Sequence, residues 1–237
     1  MNTIQKLPLW KSIMLFGIPS LYFFLLTQYL TPYLTNTLHM HAALSWFITG
    51  YLVFVPLFIA ALLLVKRESG TVAIKTLLKR LRFKKLSKKD VLWTLGAIGL
   101  TFASIGMIML VSKGLSHELQ TTPSFMEFKA LQGPEKFYLL LWFPMFFFNI
   151  AGEQMLWQGY ILPRQELAHG NKAWLVNGLL WTLFHLCFGP DLLIMLLPSL
   201  FIIAFTIQKT QNTLTGMIVH AVLNGPMFVL VALDILH

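Results

Sequence analysis

The chain has 237 residues, 57% hydrophobic and only 11% charged, with a net charge of +9 and a mean hydropathy of +0.70. Soluble domains carry about 25% charged residues, so a chain this apolar cannot cover itself with polar surface and takes the bilayer as its solvent. The single cysteine, Cys187, excludes an internal disulfide or a cysteine metal cluster, and is read as a small core or lipid-facing residue.

A bilayer core needs about 20 mostly apolar residues per helix. Seven stretches qualify: 11–30, 43–65, 91–112, 137–162, 173–189, 192–208 and 213–236. The expectation is an all-α, polytopic transmembrane bundle of seven helices, or eight, making one integral membrane domain over 1–237. The first span begins on basic residues as a signal peptide does, but its apolar run is long. The following "TQYLTPYLTNT" offers no small-residue cleavage site, so this helix is expected to be retained.

Ten of the 18 basic residues lie between Lys66 and Lys89, the mark of a cytoplasmic loop facing anionic lipid rather than of a nucleic-acid surface. With the N-terminus inside, fifteen Lys and Arg fall inside against three outside (Lys113, Lys129 and Lys136). That bias places a multi-pass protein in the cell membrane with its N-terminus cytoplasmic and His237 outside. The basic segment 71–91 reads either as an amphipathic helix on the cytoplasmic surface or as a loop that only sets topology. Membrane lipids are the partner this charge implies.

Ionisable groups inside lipid are costly, and each is a functional hypothesis. The first three spans hold none internally and read as scaffold. The fourth carries "GEQMLWQGY", with Glu153, Gln154 and Gln158; the fifth carries His185, and the seventh carries His220 and Asn224. At about 1.5 Å per residue from the cytoplasmic span ends, Glu153 lies about 15 Å deep, His185 about 18 Å, His220 about 14 Å and Asn224 about 20 Å. Three helices thus bring polar groups to one level, and His220 and Asn224 share a face.

Such a set can do several things. Glu153 could deprotonate a water oriented by one His, while the other His and Asn224 stabilise an oxyanion. Glu153, His185 and His220 could instead hold a catalytic Zn²⁺. A proton or solute pathway and a structural polar network are the competing readings. Asn177 shares a face with His185 and is a weaker candidate for support. Trp157 and Trp181 read as packing before groove lining, and Pro144 and Pro198 as kinks that could open a cavity. Arg164, Glu166 and Lys172 read as anchors of the fourth span, and His39, His41, His117, His169 and His237 as solvated surface.

Three segments carry a family resemblance. Glu153-Gln154-Met155-Leu156-Trp157-Gln158 aligns with an EExxxR motif, Trp181 to His185 with F-xxx-H, and His220 to Asn224 with H-xxx-N. Together they resemble the CPBP intramembrane proteases, the CAAX-prenyl-endopeptidase (Rce1-like) and bacteriocin-processing (Abi) group, over about residues 75–230, with a catalytic-type core at about 137–230. The resemblance implies an endopeptidase acting on a peptide or protein bond in or beside the membrane, from a site opening toward the cytoplasm. It assigns water activation to Glu153 and His185 and the tetrahedral intermediate to His220 and Asn224. It leaves the choice between a metalloprotease and a glutamate-activated water open.

The second Glu and the Arg of the first motif are here Gln154 and Gln158. Four apart on a helix, a Glu and an Arg would pair, and losing one would strand a charge at about 3–5 kcal/mol. Two neutral amides that bond to each other are the expected compensated replacement. A catalytically silent relative acting as a binding or immunity protein is the alternative reading, and a proton-coupled transporter is a third.

Overall fold

The computed structural model describes residues 4–123, 125 and 130–235; the readings placed on Lys129 and His237 lie outside them. The described chain is helical throughout, as expected. Helix α1 (Leu9–Leu25) continues through two π-helical turns, Leu26–Leu30 and Tyr33–Thr37. There follow α2 (Ala42–Ser69), the short α3 (Ile74–Arg80) and α4 (Lys88–Gly114). After a long connection come α5 (Leu139–Glu153), a π-helical segment Gln154–Ile161, α6 (Leu162–His169), α7 (Ala173–Phe184), α8 (Pro190–Thr210) and α9 (Thr213–Ala232).

Among the described residues six helical runs are long and apolar enough to cross a membrane. One of them, Gly133–Phe184, contains the fourth expected span and the first twelve residues of the fifth, because the chain doubles back at Gly170, whose φ is +55°. Beyond that turn Asn177 reaches Gln165 and the Trp157 carbonyl. Local chemistry sets the ends of the elements. Gly70 stops α2 in the left-handed region, Ser87 and Asp90 form a capping box on α4, and the Asn212 side chain caps α9.

The connections sort onto two faces. On one lie the N-terminal segment, the 66–89 loop, α6 and the α8–α9 turn. Leu7 N–H donates to the Arg164 carbonyl at 3.1 Å, Thr213 N–H to the Arg82 carbonyl at 2.9 Å, and Lys84 N–H to Asn212 Oδ1 at 3.2 Å. On the opposite face Gln120 N–H donates to Asp191 Oδ2 at 3.1 Å, and Leu131 N–H to the Ala232 carbonyl at 3.0 Å. Here His41 caps α2 and sits 3.6 Å from Glu135, while His117 meets Asp191 at 3.2 Å. These two histidines fasten connections rather than simply facing solvent.

Three sequence readings change. Segment 71–91 is neither a surface-lying amphipathic helix nor a free loop. Between α2 and α4 only the seven residues of α3 are helical, Ile74 is exposed, and Leu81 is inserted into the core. A Cβ at Gly159 would meet the Leu81 carbonyl at 3.1 Å, so glycine lets that loop seat closely without displacing it. Arg164 is not an interfacial anchor: it is 2% exposed. Its guanidinium donates to both Glu68 oxygens and to the Tyr160 carbonyl, and the Tyr160 hydroxyl donates to Glu68 at 2.7 Å. Glu166 pairs with Arg82 at 2.9 and 2.8 Å. Both acids and both arginines lock the basic face, because the helical run continues past the expected span end to His169. Lys172 stays exposed, as expected.

Candidate active site

Glu153 closes α5. The residue before it sets its place: a Cβ at Gly152 would lie 2.6 Å from the Phe54 carbonyl, so only glycine lets α5 lie this close to α2. Beyond Glu153 the backbone widens into eight π-helical residues, all buried. Such segments are rare and often mark functional positions. Glu153 itself is 1% exposed, and both its oxygens are held. Asn149 Nδ2 donates to Oε1 at 2.8 Å and Trp181 Nε1 to Oε2 at 2.7 Å.

His185 sits just past the end of α7, where the backbone leaves the helix for a 3₁₀ turn. Its Nδ1 is 3.1 Å from the Trp181 carbonyl. A carbonyl only accepts, so Nδ1 carries the proton and Nε2 keeps a lone pair. That Nε2 lies 4.0 Å from Glu153 Oε2, too far for a direct hydrogen bond and the spacing at which a water bridges two groups.

On α9, His220 is buried and Asn224 exposed. Asn224 Nδ2 lies 3.0 Å from His220 Nε2, and Gln154 Nε2 lies 3.2 Å from His220 Nδ1. A neutral imidazole donates at one nitrogen and accepts at the other, so one of these two amides turns its oxygen to the ring. Trp181 packs edge-on to His220, with ring centres 5.5 Å apart. All four candidate residues, with Asn149 and Trp181, line one cavity of about 370 Å³ whose other walls are largely aromatic and aliphatic. The depth argument therefore holds: three helices converge at one level.

The pairing expected of Gln154 and Gln158 is not formed. Gln154 turns to His220, whereas Gln158 Nε2 donates to Asn177 Oδ1 at 2.8 Å, and Asn177 Nδ2 to Gln165 Oε1 at 2.8 Å. On the widened π-helical backbone the two glutamines diverge. Only Gln154 touches the site. Asn177 belongs to the neighbouring amide chain and not to the cavity. Trp181 does line the cavity, while Trp157 is fully buried and stacks on Phe16 at 4.3 Å. Two contributions escaped the sequence reading, the Asn149 amide and the Trp181 indole N–H on Glu153. Asn149 stands one turn before Glu153, a spacing that could have disclosed it. The Trp181 indole stands where the resemblance has Phe, and supplies a donor that Phe lacks.

The residues do not fit the Zn²⁺ site. Among the described residues no three His, Cys, Asp or Glu side chains gather as metal ligands. His220 gives both nitrogens to amides, which leaves Glu153 and His185 as a pair without a third ligand. The chemistry available is that of a bridged water between a carboxylate and a neutral imidazole, facing an amide across an apolar cavity.

Residues 135–225 match a family model, Rce1-like, described as type II CAAX prenyl endopeptidase Rce1-like. The match holds all three motifs and leaves α1 to α4 outside, and it agrees with the resemblance those motifs carry. No curated protein and no solved structure matches the chain.

Proposed function

We propose that this multi-pass membrane protein, whose residues 135–225 are Rce1-like, is an intramembrane endopeptidase that hydrolyses a peptide bond with a Glu153-activated water. The observation that carries the reading is the Glu153–His185 spacing of 4.0 Å at the wall of a cavity. A water there donates one O–H to the His185 Nε2 lone pair and presents the other to Glu153 Oε2. Glu153 takes that proton as the water oxygen bonds to the scissile carbonyl carbon. The carbonyl oxygen becomes an oxyanion facing the Asn224 amide, which donates to it, with His220 holding Asn224 in place. Glu153 then passes its proton to the departing nitrogen as the C–N bond breaks, yielding a carboxylic acid and an amine.

Asn149 and Trp181 keep the carboxylate aimed throughout. Gln154 braces His220 without adding charge, which favours an active enzyme over a silent relative. The basic face is cytoplasmic in this reading, and membrane lipid and a peptide or protein substrate are the partners. The test is proteolysis by purified protein in detergent with a Rce1-type substrate peptide. Wild type is expected to cleave, while Glu153→Gln and His185→Ala each lower kcat by about 10²- to 10⁴-fold without loss of thermal stability. Cleavage by Glu153→Gln at the wild-type rate would sink the reading. Activity that survives a chelator is expected, and activity abolished by one would restore the metal alternative.

A further inference from the structure

A second hollow lies between α4 and α8, a groove of about 570 Å³ that shares no lining residue with the cavity at Glu153. Its α4 wall is the stripe Lys89, Leu92, Trp93, Gly96 and Leu100, positions three and four apart on one helix face. Across it, Phe205 of α8 stands between two indoles, its ring centre 5.9 Å from Trp93 and 5.1 Å from Trp174. The Trp174 backbone N–H donates to Gln208 Oε1 at 2.8 Å, which pins the start of α7 to α8. The depth of the groove comes from Gly96. A Cβ there would meet nothing within 4 Å, so this glycine leaves room where Gly152 permits contact.

The groove has a charged end. Asn212 Nδ2 lies 3.4 Å from Asp90 Oδ2, bringing the start of α4 beside the end of α8. Lys89 and Lys209 flank that contact and are both exposed, with Lys209 Nζ 5.3 Å from the Phe205 ring centre. The acids nearby are spent. Asp90 caps α4, and Glu166 holds Arg82 and the Gln211 amide. Among the described residues neither lysine has an acidic partner. From Lys89 to Leu100 the groove runs about 16 Å along the helix, close to half of a hydrocarbon core about 30 Å thick. Its length is that of one leaflet.

We propose that this groove binds one anionic phospholipid. The phosphate sits between Lys89 and Lys209, and one acyl chain lies along Gly96 between α4 and α8. Trp93 and Trp174 stand near the charged end, where indoles favour the membrane interface, and the lysine stems run along apolar surface to reach it. A zwitterionic lipid would fill the apolar length but bring no net charge to the two cations. A second copy docked face to face would set the same lysines against one another. The proposal needs only a protein that spans the bilayer. It depends neither on which face is cytoplasmic nor on the proteolytic reading.

Native mass spectrometry of the purified protein in detergent tests it, with phosphatidylglycerol and phosphatidylcholine of matched chains. Wild type is expected to retain one phosphatidylglycerol at least tenfold more strongly than phosphatidylcholine. Lys89→Gln with Lys209→Gln should bring the two lipids within about twofold by weakening phosphatidylglycerol alone, since charge attraction supplies the difference. Gly96→Phe, which fills the groove, should lose both lipids. Thermal unfolding of each variant is read in the same detergent. If Gly96→Phe unfolds, the double lysine variant, altered only at exposed positions, decides the matter. Equal retention of the two lipids by wild type, or an unchanged preference in the lysine variant, would overturn the proposal. So would a wild-type dimer that a folded Gly96→Phe splits into monomers, which would give the groove to a second copy.

Discussion

The helical run from α5 to α6 carries two buried polar stations about one to two turns apart, and they are built on opposite terms. The upper one, around Glu153, leaves a carboxylate, an imidazole lone pair and an exposed amide facing empty space. The lower one, Gln158–Asn177–Gln165 with Arg164–Glu68–Tyr160, turns its side chains on one another, leaving only Gln158 Oε1 and Gln165 Nε2 without a partner, and lies outside that cavity. Burial of polar groups is common to both. What separates a site from a fastener is whether a reactive lone pair is left unspent beside room for another molecule. Two stations on one helix also divide the labour, since charge needed for rigidity is kept away from charge needed for chemistry.

Breaking each station should give different losses. The largest effect on folding is expected from Arg164→Met, which takes the buried guanidinium away from the Glu68 carboxylate and the Tyr160 carbonyl and should cost about 1.5–3 kcal/mol, read as unfolding in detergent. Replacing Glu68 by Leu in the same chain should recover part of that loss. Next is Asn224→Ala, expected to lower kcat by about 10²- to 10³-fold with KM and unfolding nearly unchanged. An equal loss of stability would mean that the upper station is a fastener too. Gln158→Ala should cost about 1–2 kcal/mol of stability and leave kcat within about twofold, reversing the pattern of Asn224→Ala. Smallest is Arg82→Gln, which opens the half-buried pair with Glu166 but leaves Glu166 the Gln211 amide as a donor. It should cost under about 1 kcal/mol, and raised salt should shrink the difference.

How much of this could be read in the chain varies by residue. Glu153, His185, His220 and Asn224 stood out because ionisable groups are rare in lipid and rise per residue gives their depth. The alternation of basic and non-basic connections likewise anticipated the two faces. Arg164 was misread because a cation near a span end ordinarily anchors at the interface; its burial depends on Glu68, 96 residues away in the chain. The separate fates of Gln154 and Gln158 depend on π-helical widening, which has no signature in residue type. The cavity itself is a property of packing among six helices, and no spacing within one of them encodes it.

Gly152 has a consequence that reaches beyond α5. With its missing side chain, the backbone of α5 rests on the Phe54 carbonyl of α2 without clearance. In mechanical terms α2 is a bearing rather than scaffold, and the aim of Glu153 is indexed to it. A force that slides or tilts α2, such as a change in bilayer thickness, is therefore passed through this contact to the helix end that carries the carboxylate.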